Sequence, residues 1–508
     1  MPKNIVICAD GTGNTTVKGR GTNVFKLFEA VDGNGHRFPP GPDQQVTIYH
    51  DGVGTENLKW LRLLSGAFGW GLSRNVKQLY AELARVYSPG DRIFLFGFSR
   101  GAFTVRTLTG LITTCGILDV NAYGTNSSFT NNIRTAYSEY RRKYQTKLST
   151  AIFGKRTVDP AVLRARFSVD IPGFADESRP VIQFIGVWDT VDAVGLPLRG
   201  ADIINNVFWR FKFPDTTLSR YVGYAAHALA LDEARHSFVP VLWDERDERP
   251  RTARIAQVWF AGVHSNVGGG YPRQGMSLVA LDWMMTKAEQ HGLRFLPMAR
   301  DLYRNAADVN DKRYDSRTGL GVFYRWKPRD VQQLCQQWGI TPQVHRTVFE
   351  RIARNTEGYA PGTLPVACEV ISTSASREVR DSIANTVTDA FAQQPPLLRR
   401  VPAWRRMGVV GYYLLLAATA LLGGLMGAQY LSDARANGAD WRRTVAALAN
   451  TALSSHWLEI ALRTLRRHVW LGAVAAIALT MLLWAESRLD AFYSAFWHTV
   501  RAKLKTAL

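Results

Sequence analysis

A serine, an aspartate and a histidine stand where a nucleophilic relay would need them. Ser99 lies in Gly97-Phe98-Ser99-Arg100-Gly101, a G-x-S-x-G sequence. The apolar run Arg92 to Phe96 precedes it and a helix-like run to Cys115 follows. Strand, sharp turn and helix is the setting in which this motif presents a serine hydroxyl at the top of a sheet. The flanking glycines suit a turn too tight for a Cβ on either side. A serine hydroxyl becomes a useful nucleophile only when a base takes its proton and a carboxylate orients that base. Asp189 follows the apolar run Val181 to Trp188. His264 follows Ile255 to Val263 and opens the loop His264-Ser265-Asn266-Val267-Gly268-Gly269-Gly270-Tyr271. The order Ser, Asp, His, each just beyond a strand, is that of a triad on an α/β-hydrolase sheet.

Other residues compete for these roles. Asp192 is three residues past Asp189. His50 ends a strand beside Asp51, while His227 and His236 fall in a helix-like region with Asp232 and Glu233 and suit structural hydrogen bonds. His264 is preferred because its glycine-rich loop lets the ring approach Ser99. The tetrahedral intermediate of acyl transfer needs backbone N–H donors. One is expected from Arg100, directly after the serine, and a second from Gly11 or Thr12 in the loop Asp10-Gly11-Thr12-Gly13-Asn14. The loop Asp51-Gly52-Val53-Gly54-Thr55 is expected to wall the pocket. Asp10 could instead be read as a phosphatase nucleophile, but such enzymes place a second Asp two residues on, where Thr12 stands. Neither glycine loop is a Walker motif, and no H-E-x-x-H sequence or cysteine cluster points to a metal; no cofactor is expected.

The elements that must position these residues read as an α/β chain with a mostly parallel sheet and helices on both faces. Expected strands are Asn4 to Ala9, Val46 to His50, Arg92 to Phe96, Val181 to Val187 and Ile255 to Ala261. Expected helices are Asn23 to Val31, Ser73 to Tyr87, Arg100 to Thr114 and Leu278 to His291, with Thr22 and Ser73 as N-caps. Between Asp119 and Pro180 the pattern breaks, with a polar helix over Asn131 to Thr146. This helix and the segments around Phe208 to Phe213 and Trp243 are expected as lid-forming insertions. Asp301 to Cys368 reads as a smaller mixed annex.

Residues 1–370 are thus expected as the catalytic domain, 371–403 as a Pro- and Arg-rich linker, and 404–508 as a membrane anchor. Met407 to Ser432 carries no charged residue and is long enough to cross a bilayer; His468 to Ala485 is a second uncharged run. Gly423, Gly424 and Gly427 suggest a packing face between the two helices. The N-terminus has no apolar signal-peptide core, and the distribution of Arg and Lys around the spans favours cytoplasmic termini. The expected location is a bacterial inner membrane, with the catalytic domain on the cytoplasmic side.

The 508 residues carry a formal net charge of +20. Basicity attracts anionic partners. No zinc-finger spacing, helix-turn-helix or RNA-binding signature accompanies it, so lipid headgroups are favoured and nucleic acid is not expected. Cys8, Cys115, Cys335 and Cys368 are far apart in sequence; three of them read as core residues, and neither disulfides nor a metal cluster is implied.

Several further motifs appear in order: Ala230-Leu231-Asp232-Glu233 lies between Val187-Trp188-Asp189-Thr190-Val191 and the His264 loop, after the Asp10, Asp51 and Ser99 motifs. With Gly319 to Tyr324, this string resembles the α/β-hydrolase domain of the type VI secretion phospholipase effectors, first lipase family, and their uncharacterised bacterial and fungal relatives. The resemblance covers roughly residues 3 to 370 and implies hydrolysis of glycerophospholipid or fatty-acyl esters by Ser99, Asp189 and His264. The family's His-Ser-Asp is here His264-Ser265-Asn266, and the apolar tail is no part of the shared domain. The expected function is a membrane-anchored serine hydrolase acting on lipid acyl esters. The alternatives are a tethered esterase or thioesterase for a soluble substrate, and a non-catalytic membrane scaffold on a hydrolase fold. An effector held off by a regulatory or immunity partner is a further alternative.

Overall fold

The computed structural model describes residues 2–11, 21–33, 44–51, 68–123, 126–142, 159–176, 178–191, 216–248, 254–318, 326–393, 401–436 and 455–508. The chain divides into two compact units. The first comprises Met1–Ser316, Pro328–Ala390 and Thr499–Leu508; the second comprises Arg317–Lys327 and Phe391–His498.

The first unit is built on an eight-stranded sheet: β1 (Asn4–Ala9), β2 (Gln45–His50), β3 (Arg92–Phe98), β4 (Ile182–Trp188), β5 (Val222–Ala230), β6 (Ile255–Phe260), β7 (Gln343–His345) and β8 (Glu369–Ile371). Their order is β2-β1-β3-β4-β5-β6-β7-β8 and every pairing is parallel. A parallel sheet needs cover on both faces, so its strands read as continuous apolar runs. Ile5, Ile7, Ile93, Leu95, Ile185 and Val187 share one core with residues of helices Phe68–Val86 and Arg100–Cys115. The alternate residues Val6, Cys8, Phe94, Phe96, Phe184 and Trp188 share the other with helices Asn23–Ala30 and Gly275–Gln290. This is the two-residue period of a strand with both faces buried.

All strands end on the same edge. The winding reverses beside β1, which pairs with β2 on one side and β3 on the other. The crevice outside the carboxyl ends of strands at such a reversal is where open α/β sheets bind ligands.

The five expected strands are present within a residue or two. Thr22 caps its helix, its hydroxyl accepting from the Phe25 N–H. The helix expected from Ser73 begins at Phe68, so Ser73 lies inside it and is not its cap. His227 is not helical: it lies in the middle of β5, whose alanine-rich sequence VGYAAHALA reads locally as helix but is buried between β4 and β6. The expected annex supplies β7, and β8 follows; both extend the same sheet. The stretch expected as a linker contains helix Arg377–Ala392. The polar helix runs over Asn126–Arg142, and Phe129, Ile133, Ala136 and Tyr140 bury its apolar stripe in the first core. Trp243 is likewise buried, under the Arg106 guanidinium at 4.4 Å, and not part of an exposed cover. Phe208 to Phe213 lie outside the described residues.

Two long apolar helices, Val401–Ala436 and Val469–Ala507, make up most of the described part of the second unit, the last turns of the second helix, from Thr499, being counted with the first unit. Each is long and apolar enough to cross a membrane. They pack where Gly411 approaches the backbone of Ala478 and Leu482. Among the described residues, nothing lies within 4 Å of a Cβ built on Gly423, Gly424 or Gly427. Trp326 lies against Gly408, and Arg317 pairs with Glu486, within this unit.

Candidate active site

Ser99 sits between β3 and helix Arg100–Cys115 with φ 58° and ψ −119°. A non-glycine residue in this region stores about 1–3 kcal/mol of strain and persists only where the surroundings impose it. They do so here by close packing. A Cβ on Gly101 would lie 2.0 Å from the Ala9 carbonyl oxygen, and one on Gly97 2.6 Å from the Gly101 carbonyl oxygen. The elbow is therefore pressed against the end of β1. Its ladder continues into the turn, with the Ser99 N–H donating to the Trp188 carbonyl at 3.0 Å.

Asp189 follows β4 with φ 40° and is wholly buried. His264 opens the short helix His264–Gly268 after β6. The structure brings these two together: His264 Nδ1 lies 2.6 Å from Asp189 Oδ2. The imidazole is held between Phe98 and Phe238, with ring centroids 4.6 and 5.0 Å away. Burial lowers the pKa of His264; Asp189 opposes that shift and Arg235 adds to it. A neutral imidazole with Nδ1–H directed at a carboxylate leaves Nε2 as the base.

Further residues fix this pair, none of them assigned a catalytic place by the reading of the sequence above. The Arg329 guanidinium forks onto Asp189, Nη1 to Oδ1 at 2.7 Å and Nη2 to Oδ2 at 2.9 Å. Burial alone would raise the Asp189 carboxyl; Arg329 and the His264 hydrogen bond hold it well below the usual carboxylate range. Glu233 accepts from the His264 backbone N–H at 3.2 Å, from Arg235 Nε at 2.8 Å and from the Ser316 hydroxyl at 2.9 Å. Its pKa is about 2: burial pushes it up, but the Arg235 hydrogen bond and charge outweigh this. Asp232 accepts from the Gly262 N–H at 2.7 Å and the Tyr359 hydroxyl at 2.8 Å. The Asp232-Glu233 pair thus clamps both ends of the turn leading to His264. Arg329 offered no local signal, being 140 residues from its partner.

His227 makes a structural contact, its Nε2 accepting from the Thr190 N–H at 3.1 Å. Burial lowers its pKa to about 3, aided by Arg106, so it stays neutral. Asn266 is buried; its Oδ1 accepts from the Val263 and Tyr314 N–H groups and its Nδ2 donates to the Lys312 carbonyl. An amide serves here because the site asks for a donor as well as an acceptor.

Asp10 directly follows β1, and its carboxylate accepts from Gly11 N–H at 2.6 Å, Thr22 Oγ1 at 2.5 Å and Tyr49 Oη at 2.8 Å. The Gly11 N–H, expected as an oxyanion donor, here donates to the adjacent Asp10 carboxylate. The same bonds tie Asp10 into the fold, against the phosphatase reading. Arg100 is the first residue of its helix, where the N–H points out of the positive end of the helix dipole. Asp51 is exposed at the end of β2. Thr12, Asp192 and the glycine loop after Asp51 lie outside the described residues.

Comparison with known proteins gives three findings. The family model described as "T6SS, Phospholipase effector Tle1-like, catalytic domain" matches residues 3–287. The uncharacterized protein YEL023C of Saccharomyces cerevisiae is 27% identical over 250 residues, 46% of this chain and 32% of that protein, so the match spans about a third of its length. Among solved structures, an uncharacterized protein from Pseudomonas aeruginosa is 18% identical, with a TM-score of 0.33 over 78% of this chain and 60% of that one. The Tle1 effector bound to the VgrG spike of the type VI secretion system is 17% identical, with a TM-score of 0.29 over 53% and 51%.

Proposed function

The chain belongs to the type VI secretion Tle1-like phospholipase effector family, through its catalytic domain, and from that premise we propose that it is a membrane-associated serine hydrolase of lipid acyl esters. The observation that carries the reading is the 2.6 Å contact between His264 Nδ1 and Asp189 Oδ2 at the sheet edge that also presents the strained Ser99.

In this reading Ser99 Oγ attacks the acyl carbonyl while His264 Nε2 takes its proton. Asp189 holds the imidazole in the Nδ1–H tautomer and balances the imidazolium. The Arg100 N–H, at the helix N-terminus, faces the developing oxyanion; one such donor is worth about 3 kcal/mol of transition-state stabilisation. His264 then protonates the leaving alcohol, the acyl group remains on Ser99, and a water activated by the same imidazole releases the fatty acid.

Membrane association is supported by the second unit. Val401–Ser432 and Val469–Ala507 are by length and composition candidates to cross a bilayer. Leu414, Leu421, Trp470, Ile477, Leu483 and Trp484 are exposed on them. At about 1.5 Å per residue both helices exceed the roughly 30 Å hydrocarbon layer. Both lie beyond residue 287, outside the family match. A tethered enzyme meets its lipid at high local concentration. We place the anchor in a bacterial inner membrane with the catalytic unit on the cytoplasmic side.

A fluorophosphonate probe tests the nucleophile. Peptide mapping is expected to place the label on Ser99, with slower labelling in His264→Ala. Labelling elsewhere, or none in folded protein, would count against the proposal.

A further inference from the structure

Asp189 is asked to remain an anion where no water reaches it. Its oxygens accept four hydrogen bonds: Oδ1 from the Ala230 N–H at 3.0 Å and from Arg329 Nη1, Oδ2 from His264 Nδ1 and from Arg329 Nη2. Arg329 is itself 3% exposed and also donates to the carbonyls of Ala230 and Phe238. Ala230 is thus gripped at both ends of its backbone, its N–H by Asp189 and its carbonyl by Arg329. Phe238, the other residue held, sets its ring edge-on against the His264 imidazole. One guanidinium therefore touches the orienting carboxylate, the end of β5 and the segment that packs on the base.

We propose that Arg329 is a positioning residue of the hydrolytic site, its planar fork locking the Asp189 carboxylate in the rotation that aims Oδ2 at His264 Nδ1. The proposal rests on the serine-hydrolase reading of Ser99, His264 and Asp189. A single hydrogen bond from the histidine would leave the carboxylate free to turn about its Cβ–Cγ bond. Two parallel N–H···O bonds from a rigid fork remove that freedom, which a lysine ammonium cannot do.

The fork also sets charge. Asp189 faces Arg329, His264 and the neutral His227; His264 faces Asp189, Glu233 and Arg235, and the last two pair with each other. Arg329 is thus the cation that balances Asp189. Its removal makes the Asp189–His264 pair bind a proton more tightly, whether the proton rests on the imidazole or on the carboxylate. The acid limb of the activity profile then moves to higher pH.

Arg329→Met and Arg329→Lys, made in the full chain in detergent, are compared with wild type on a short-chain p-nitrophenyl ester. Arg329→Met is expected to lower kcat at least about 10-fold, short of the roughly 10⁴-fold loss caused by disturbing the carboxylate–imidazole pair itself. KM is expected to stay within about 2-fold, since no substrate binding is removed, and the acid limb to rise. Arg329→Lys keeps the charge, so its limb is expected near wild type while kcat is only partly restored. An Arg329→Met limb that coincides with wild type, at any level of activity, overturns the proposal, because a purely structural residue changes the amount of active enzyme and not its titration. If wild type shows no Ser99-dependent turnover, the hydrolase reading fails instead. The positioning claim is then read from the low-field NMR signal of the His264 Nδ1–H: its titration is expected at higher pH in Arg329→Met, and an unmoved titration rejects it.

Discussion

Asn266 shows how closely single residues around His264 are specified. Its amide uses both a donor and an acceptor within the turn that carries the histidine, and it is 1% exposed. Asn266→Asp would set a carboxylate against the Lys312 carbonyl and remove the donor. The expected cost is about 1–3 kcal/mol, visible as a lower Tm, with turnover per folded molecule close to wild type. An unchanged Tm would mean that the turn does not need the donor. Ser99, Asp189 and His264 stand out in the sequence because each follows an apolar run at a strand end, and the expected order narrows the choice among ten histidines. Arg329 does not, because its meaning depends on a partner 140 positions away and nothing in its neighbours announces it. The hydrogen bond from the Gly11 N–H to the adjacent Asp10 side chain is likewise a detail of the fold that its loop sequence does not announce.

Among the elements, the strands recovered from sequence are those rich in Ile, Val and Phe, whose double burial shows as continuous apolar runs. β5 escaped because alanine favours helix locally, and only its place between β4 and β6 makes it a strand. β7 and β8 have three residues each, too few to carry a period. The contact of the elbow helix with β1 is tested by Gly101→Ala, whose methyl would meet the Ala9 carbonyl. We expect a loss of about 1–3 kcal/mol in stability and a larger loss of activity than of folded protein; retention of both would place the helix farther from β1. The Asp232-Glu233 clamp between β5 and β6 gives an acid signature. The Glu233 carboxyl titrates near 4.5 when unfolded and at about 2 when folded. Its contribution is therefore present above the unfolded value and lost as pH falls from about 4.5 towards 2. Glu233→Gln is expected to flatten this part of the stability curve measured by denaturant titration. A curve as steep as wild type would exclude Glu233 as its source.

For the whole molecule, the catalytic unit and the apolar unit are each built from more than one stretch of the chain. The chain leaves the first at Ser316, whose hydroxyl binds Glu233, and returns at Pro328, one residue before Arg329. The intervening Arg317 and Trp326 pack in the apolar unit, and the chain crosses between the units twice more, after Ala390 and after His498. The full chain is expected to stay with membranes after alkaline carbonate washing, as an inserted pair of helices would; release into the supernatant would mean that these helices pack elsewhere. The claim that matters most is that Ser99 cleaves lipid acyl esters. Detergent-solubilised wild type and Ser99→Ala should be incubated with mixed bacterial phospholipids and the products identified by mass spectrometry. The account predicts fatty acid and lysophospholipid from wild type and none above background from Ser99→Ala. Equal release by both proteins, or none from wild type whose Ser99 still reacts with a fluorophosphonate, would contradict it.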